Sequence, residues 1–392
     1  MKYLCIVILI IIEVSWCGGQ SNTIHSSYIN NTENKNDIWI WGQSDTKVDN
    51  RNNEDSTTRT SAVPTPDPRL NDRGNPCDPF VRNKPTFTGR ISEIQCQEHI
   101  WQLKYSAEKL IHDSRCEAWK IQTSQLSLTD RENAPEVVGG RVTFPGEFPH
   151  MGAIGWKSVQ NDWKFNCGGS LISHNFVVTA AHCTSASAAD TSLADTVPKI
   201  VRFMAKNVAG PVANDVSISE IIVHPNYKSP KKYYDIALIK LEKYVVFNNL
   251  AQPACLWTKP DLKELGSATV TGWGVLRPNS LAFSAELQAA ELDVLEDSVC
   301  NNLLTKYCNR NWCGFSDHQF CAGKLTGGVD ACQGDSGGPL QAKIPLPDYV
   351  SYNIYNVFGV TSFGVGCAEP GLPGIYTRIS SFLDWIEPIV WP

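Results

Sequence analysis

The stretch Asp330-Ala331-Cys332-Gln333-Gly334-Asp335-Ser336-Gly337-Gly338-Pro339-Leu340 sets a serine among glycines, with an aspartate directly before it and a cysteine four residues upstream. Serine is a weak nucleophile until a base removes its proton. Glycines around it let a backbone approach closely and let consecutive N–H groups converge on one point. The N–H groups of Gly334 and Ser336 are the candidates for an oxyanion hole, often the largest single contribution to acyl transfer. Such a nucleophile calls for a base, and the base for an orienting acid. Val177-Val178-Thr179-Ala180-Ala181-His182-Cys183 places His182 at the end of an apolar, strand-like run. Asp235-Ile236-Ala237-Leu238-Ile239-Lys240-Leu241 opens with a carboxylate and continues as an alternating buried strand. A carboxylate heading so apolar a strand is placed for burial, with Tyr233 and Tyr234 beside it to help cover it.

The order His182, Asp235, Ser336, with the segments VVGG, TAAHC, DIALIKL, GWG, FCAG, GDSGGPL and SFG in sequence, resembles the trypsin/chymotrypsin serine proteases over about residues 137–392. The resemblance implies an all-β fold of two antiparallel six-stranded β-barrels with a C-terminal helix and the site at their junction. It implies His182 as general base toward Ser336 and then general acid toward the leaving amine, with Asp235 holding the tautomer. Asp330, six residues before the nucleophile, would lie at the bottom of the primary pocket, where a carboxylate selects a cationic side chain. Gly364 and Gly374 match the pocket walls, and Ser362 and Phe363 match the strand that pairs with substrate backbone. Ala331 stands where serine is common, which removes a hydroxyl for an ammonium and favours Arg over Lys. The implied disulfides are Cys167–Cys183, Cys300–Cys321 and Cys332–Cys367. No cofactor is needed for this chemistry.

The resemblance also implies a zymogen cut before Val137, whose new amino group pairs with Asp335; a buried charge pair that is costly unless complete makes a usable switch. Glu136 precedes the cut where Arg or Lys is usual, so an upstream activating protease of different specificity is expected. Cys255 matches the position that bonds to the prosegment, with Cys116 as the expected partner from its nearness to the cut. Cys77, Cys96, Cys308 and Cys313 remain, and the last two could close a short loop on their own. The segments Glu147-Phe148-Pro149-His150-Met151 and Tyr376-Thr377-Arg378 resemble the arthropod snake-like clip-domain proteases. A clip domain needs six cysteines and only three lie upstream, so no complete clip domain is expected.

Composition agrees with this outline. The net charge of the 392-residue chain is −6 and spread out, so no nucleic-acid partner is indicated. Residues 1–19, with Lys2 before an apolar run Ile6–Ile12, read as a signal peptide, which predicts a secreted, extracellular protein and no membrane span. Of fourteen cysteines, Cys5 and Cys17 lie in that leader, and the even remainder reads as a disulfide set. No CxxC-type spacing occurs and Lys206–Asp215 lacks paired glutamates, so no metal site is expected. Residues 20–76 are rich in Asn, Ser, Thr and Asp and read as a flexible linker carrying a glycosylation sequon at Asn30. Residues 77–136 form a cysteine-containing prosegment, and 137–392 the protease domain.

Within the prosegment, Cys96, Ile100, Leu103, Ala107 and Leu110 are spaced four, three, four and three, which predicts a short helical region over Ser92–Ile111 with Ser92 as cap. The helix is expected to pack on its own protease. Ser381 to about Glu387 reads as the C-terminal helix, with Ser381 and Asp384 as a capping box and Pro388 as its stop. The expected function is a zymogen of a trypsin-like endopeptidase that cuts proteins after Arg, with another zymogen as substrate and a serpin-type inhibitor as further partner. The alternative is a non-catalytic homologue acting as a binding adaptor. Such homologues lose a triad residue or an oxyanion glycine, and none is lost here.

Overall fold

The computed structural model describes residues 75–124, 141–205, 207–210, 214–262, 265–275, 283–327, 334–366 and 369–392. The first element is a long helix, α1 (Ile91–Ser124), followed by a two-residue strand, β1 (Arg141–Val142). Short Val-, Ile- and Phe-bearing strands then alternate with turns. β2 (Met151–Lys157), β3 (Trp163–Leu171), β4 (Phe176–Thr179), β5 (Ile200–Phe203), β6 (Asn214–Val223) and β7 (Ala237–Leu241) close into an antiparallel barrel in the order β2-β3-β4-β7-β6-β5. Ile154, Leu171, Val177, Val178, Leu238 and Ile239 are fully buried inside it.

After the short β8 (Cys255–Leu256), a second ring forms from β9 (Ser267–Gly272), β10 (Gln288–Val294), β11 (Gln319–Gly323), β12 (Pro339–Lys343), β13 (Tyr355–Phe363) and β14 (Gly374–Arg378). Its antiparallel pairings run β9–β10–β11–β14–β13–β12 and back to β9. β1 adds to β10, and β8 adds in parallel to β13. Val270, Leu292, Phe320, Leu340, Phe358 and Tyr376 fill the interior. Two closed six-stranded antiparallel barrels are thus present, as expected, and closure leaves neither ring with an unpaired edge. A short helix, α2 (Asp297–Leu304), follows β10, and α3 (Leu383–Val390) ends the chain.

Phe382, Leu383, Ile386 and Val390 bury against the first barrel and against Val357 and Val360 of β13. α3 departs from expectation at both ends. Ser381 and Asp384 form no capping box: the helix begins at Leu383 without a side-chain cap, and Asp384 instead meets Arg90 at 2.5 Å. Pro388 lies inside the helix. It removes one backbone bond, and burial of Ile386 and Val390 on both sides of it holds the turn together.

α1 is 34 residues long and outruns the apolar spacing that ends near Ile111. Its cap also differs. Ser92 lies inside the helix and donates through Oγ to Glu387 Oε1 at 2.6 Å, while Glu93 reaches back to the Arg90 N–H at 3.0 Å. Gly89, at φ 126°, allows that reach, since a Cβ there would meet Glu93 Oε2 at 2.3 Å. Cys96, Ile100, Leu103 and Ala107 pack with Cys255 of β8 and with Ile344, Val350 and Ile354 of the loop between β12 and β13. The loop between β12 and β13 is therefore the seat of this helix. Leu110 stays exposed at 68%.

Cys96 of α1 is bonded to Cys255, and Cys116 pairs with Cys77. The expected Cys116–Cys255 bond is thereby corrected. Cys96 shares the face that packs on β8, whereas Cys116 lies twenty residues further along α1, about 30 Å at the helical rise. Nearness in sequence to residue 137 does not decide which cysteine reaches Cys255. Cys167–Cys183, Cys300–Cys321 and Cys308–Cys313 are also bonded. Cys332, Cys367, Asp330, Glu136, Val137 and Asn30 lie outside the described residues.

Candidate active site

His182 follows β4 on a single helical turn, Ala181–Thr184, which the Cys167–Cys183 disulfide ties to β3. Asp235 stands just before β7, beside that turn in the same barrel. Its Oδ1 accepts the His182 backbone N–H at 2.9 Å, and its Oδ2 lies 2.8 Å from His182 Nδ1. An ionised carboxylate only accepts, so Nδ1 carries a proton, and in the neutral ring Nε2 is the nitrogen with a lone pair to act as base. Ser362 Oγ donates to Oδ2 at 2.5 Å, and Thr377 Oγ1 to the Asp235 carbonyl at 2.9 Å. Both come from the second barrel, so the carboxylate is held from two sides. Asp235 is fully buried. Burial alone would raise its pKa, yet the His182 ring together with the His182 and Ser362 hydrogen bonds holds it below the usual carboxylate range.

The backbone that presents Asp235 is itself constrained. Tyr234 takes a left-handed conformation at φ 56°, which a non-glycine residue keeps only when its surroundings impose it. Its N–H donates to His318 Nε2 at 3.1 Å, and its ring stacks on the His318 ring at 4.3 Å and on His224 at 5.3 Å. Burial lowers the His318 pKa, which keeps the acceptor nitrogen unprotonated. This support is invisible in sequence, because it joins residues of separate barrels.

Ser336 sits between β11 and β12 in a loop that two left-handed glycines shape, Gly334 at φ 101° and Gly337 at φ 76°. A Cβ on Gly337 would lie 2.2 Å from Thr179 Oγ1 and 2.5 Å from the Gly168 carbonyl. The missing side chain is what brings the serine loop against the turn that bears His182. Backbone bonds fix the approach: Gly168 N–H to the Ser336 carbonyl at 2.8 Å, Gly337 N–H to Thr361 at 2.8 Å, and Thr361 N–H to Gly338 at 2.9 Å. Among the described residues, the Gly334 and Ser336 N–H groups donate to no protein acceptor. They remain available to a developing oxyanion.

The Asp335 carboxylate is buried and accepts the Gly274 N–H at 2.8 Å. It occupies the space where a Cβ on Gly272 or Gly274 would stand, 2.1 and 2.5 Å from its oxygens. His182, Gly334 and Ser336 line one cleft of about 1130 Å³, walled also by Phe165 and Phe283. Cys167, His182 and Cys183 bring ligand-type atoms within 4.8 Å of one another, but both sulfurs belong to the disulfide and offer no thiolate. Asp215 is engaged by Arg202 through contacts of 2.6 and 2.7 Å. Gly374 opens β14, Phe363 closes β13, and Gly364 lies exposed just beyond. The arrangement can activate a hydroxyl, orient the base and bind a negative oxygen.

Comparison with known proteins agrees. The trypsin family profile matches residues 137–386. The chain is similar to serine protease snk of Drosophila melanogaster, 39% identical over 78% of this chain and 70% of that protein. It is 38% identical to serine protease Hayan of the same organism over 65% of this chain and 39% of that protein. It is 36% identical to the clotting factor G beta subunit of Tachypleus tridentatus over 65% of this chain and 80% of that protein. The chain belongs to the trypsin family and is a serine endopeptidase.

Proposed function

We propose that the chain is a secreted zymogen, with a leader over 1–19, a linker over 20–76, a prosegment over 77–136 and a protease domain over 137–392, and that the active form cuts protein substrates after Arg. The observation that carries this reading is the His182–Asp235 bond at 2.8 Å facing a cleft that Ser336 shares. His182 takes the Ser336 proton as the hydroxyl attacks the scissile carbonyl, then returns it to the leaving amine. Gly334 and Ser336 N–H groups receive the oxyanion, and Asp235 stabilises the imidazolium. The Arg preference rests on Asp330 six residues before Ser336, with Gly364 and Gly374 leaving the pocket open.

Cleavage before Val137 by a protease that accepts Glu136 would free an amino group for Asp335, whose carboxylate is already buried against Gly272 and Gly274. Snk and Hayan are serine proteases and one relative is a clotting-factor subunit, which supports a place in an extracellular cascade, with another zymogen as substrate and a serpin-type inhibitor as regulator.

The test uses the full chain carrying Glu136→Arg, assayed before and after cutting by trypsin, on Arg-, Lys- and Phe-ended chromogenic peptides. Hydrolysis of the Arg peptide only after cutting, and its loss with Ser336→Ala, is the expected result. A chain correctly cut before Val137 that hydrolyses none of them would turn the reading toward a binding adaptor.

A further inference from the structure

Asp235 is gripped at its carboxylate by His182 and Ser362, but the direction in which that side chain leaves the backbone is set one residue earlier. Tyr234 holds φ at 56°, and a bulky aromatic residue has no local reason to stay there. Its carbonyl accepts the Ile236 N–H at 2.8 Å, so a tight three-residue turn is centred on Asp235 itself. Something outside that turn must keep Tyr234 left-handed.

The support comes from the second barrel, at residues 316–319, where a turn closed by Gln319 N–H on the Ser316 carbonyl at 2.9 Å leads into β11. Gln319 Nε2 donates to the Lys232 carbonyl at 2.7 Å, and His318 Nε2 accepts the Tyr234 N–H at 3.1 Å. The His318 ring also stacks on the Tyr234 ring, with centres 4.3 Å and planes 27° apart. One residue therefore fixes both the backbone N–H and the ring plane of Tyr234. His318 is itself anchored, because the Arg378 N–H donates to its carbonyl at 2.9 Å. The preceding residue of β14, Thr377, holds the Asp235 carbonyl. The Tyr234-Asp235 dipeptide is thus bracketed at its first N–H and its last carbonyl by residues referred to one strand.

Accepting an N–H requires a neutral ring with its lone pair on Nε2. Around His318 stand His224 from beyond β6, Tyr233 and Tyr234 from the loop before β7, Phe382 ahead of α3, Arg378 from β14 and Asp317 on its own turn. Burial and then the nearby His224 disfavour a charged His318, and among the described residues no carboxylate pairs with its ring. We propose that His318 is a positioning residue for the hydrolysis: by accepting the Tyr234 N–H it holds the left-handed turn that aims Asp235 at His182 Nδ1. This rests on the endopeptidase reading of the same site.

The test uses the Glu136→Arg chain cut before Val137, with rates on an Arg-ended peptide expressed per active site after titration with an acylating burst reagent, so that misfolded chain is not counted. His318→Phe keeps a flat ring and removes the acceptor; His318→Gln removes the ring and keeps an acceptor at similar reach. His318→Phe is expected to lower kcat by about ten- to a hundredfold, the scale of a misplaced catalytic group, with KM within about twofold. The acid limb of its kcat/KM profile should move to lower pH, by about one unit for each tenfold weakening of the hold of Asp235 on the imidazolium. His318→Gln should return kcat to within about threefold of the parent and restore the limb. His318→Met, as long as Gln but without an acceptor, repeats the comparison should the Phe variant yield no titratable sites. Equal losses with and without an acceptor, or a fall in melting temperature with kcat and the acid limb unchanged, overturns the assignment while the endopeptidase stands. A cut parent chain inert toward Arg-, Lys- and Phe-ended peptides overturns both together.

Discussion

Two seams hold this molecule together, and they are made of different material. The seam between the barrels is polar and directional: a buried carboxylate held by His182, Ser362 and Thr377, and a serine loop fixed by backbone bonds to Gly168 and Thr361. The seam between α1 and the protease domain is a disulfide, an apolar patch around Leu103, and an ionic clamp in which Arg90 meets Glu387 at 2.8 Å. Directional bonds set atoms to within fractions of an ångström, as chemistry requires. Apolar area and a covalent tether supply attachment and tolerate small shifts. The first seam serves geometry and the second retention.

Substitutions should separate the two. Asp235→Asn is expected to lower kcat/KM by about four orders of magnitude with little change in stability, because it presents the wrong tautomer of His182; single-turnover assays beside thermal melts check this. Gly337→Ala should reduce both activity and stability, with more than about 2 kcal/mol lost in urea titrations, since the new Cβ meets Thr179 and strains a φ of 76°.

At the second seam the sensitivity is to pH. Burial lowers the His99 pKa to about 4 from an ordinary 6.5, so the folded chain refuses a proton that the unfolded chain accepts. Stability should hold above about pH 6.5 and fall by on the order of 3 kcal/mol between there and pH 4 from this residue. His150, lowered to about 3 by burial in the protease core, adds in the same direction. Comparing melts of wild type and His99→Phe across that window isolates the His99 share. Arg90→Ala should have the smallest effect, under about 1 kcal/mol and screened by salt, because the arginine is 39% exposed.

The first seam was legible in the chain and the second only partly, for a physical reason. His182, Asp235 and Ser336 each carry a local signature of turn, strand or glycine, and strand alternation announces the barrels. The start of α1 shows in its apolar stripe, but beyond Ile111 the helix has none. It continues on local pairs such as Lys109–Asp113 at 2.7 Å and Glu117–Lys120 at 2.8 Å, and on the Cys77–Cys116 bond. Which cysteine reaches Cys255 depends on which helical face meets β8, and that is decided by tertiary packing. The His318 bond to Tyr234 has no linear signal at all, since the partners lie 84 residues apart.

The hairpin of β12 and β13 has one further consequence. It leaves the nucleophile at Pro339, turns under α1 through Ile344 to Ile354, and returns to deliver Ser362 to Asp235. Its two ends answer to different demands. The distal end can lengthen, shorten or change side chains to suit a different helix in place of α1, while the proximal end keeps its register through the bonds at Thr361. The segment that α1 belongs to could therefore be exchanged without retuning the chemistry, by rewriting one loop tip and leaving the ribbon that supports it.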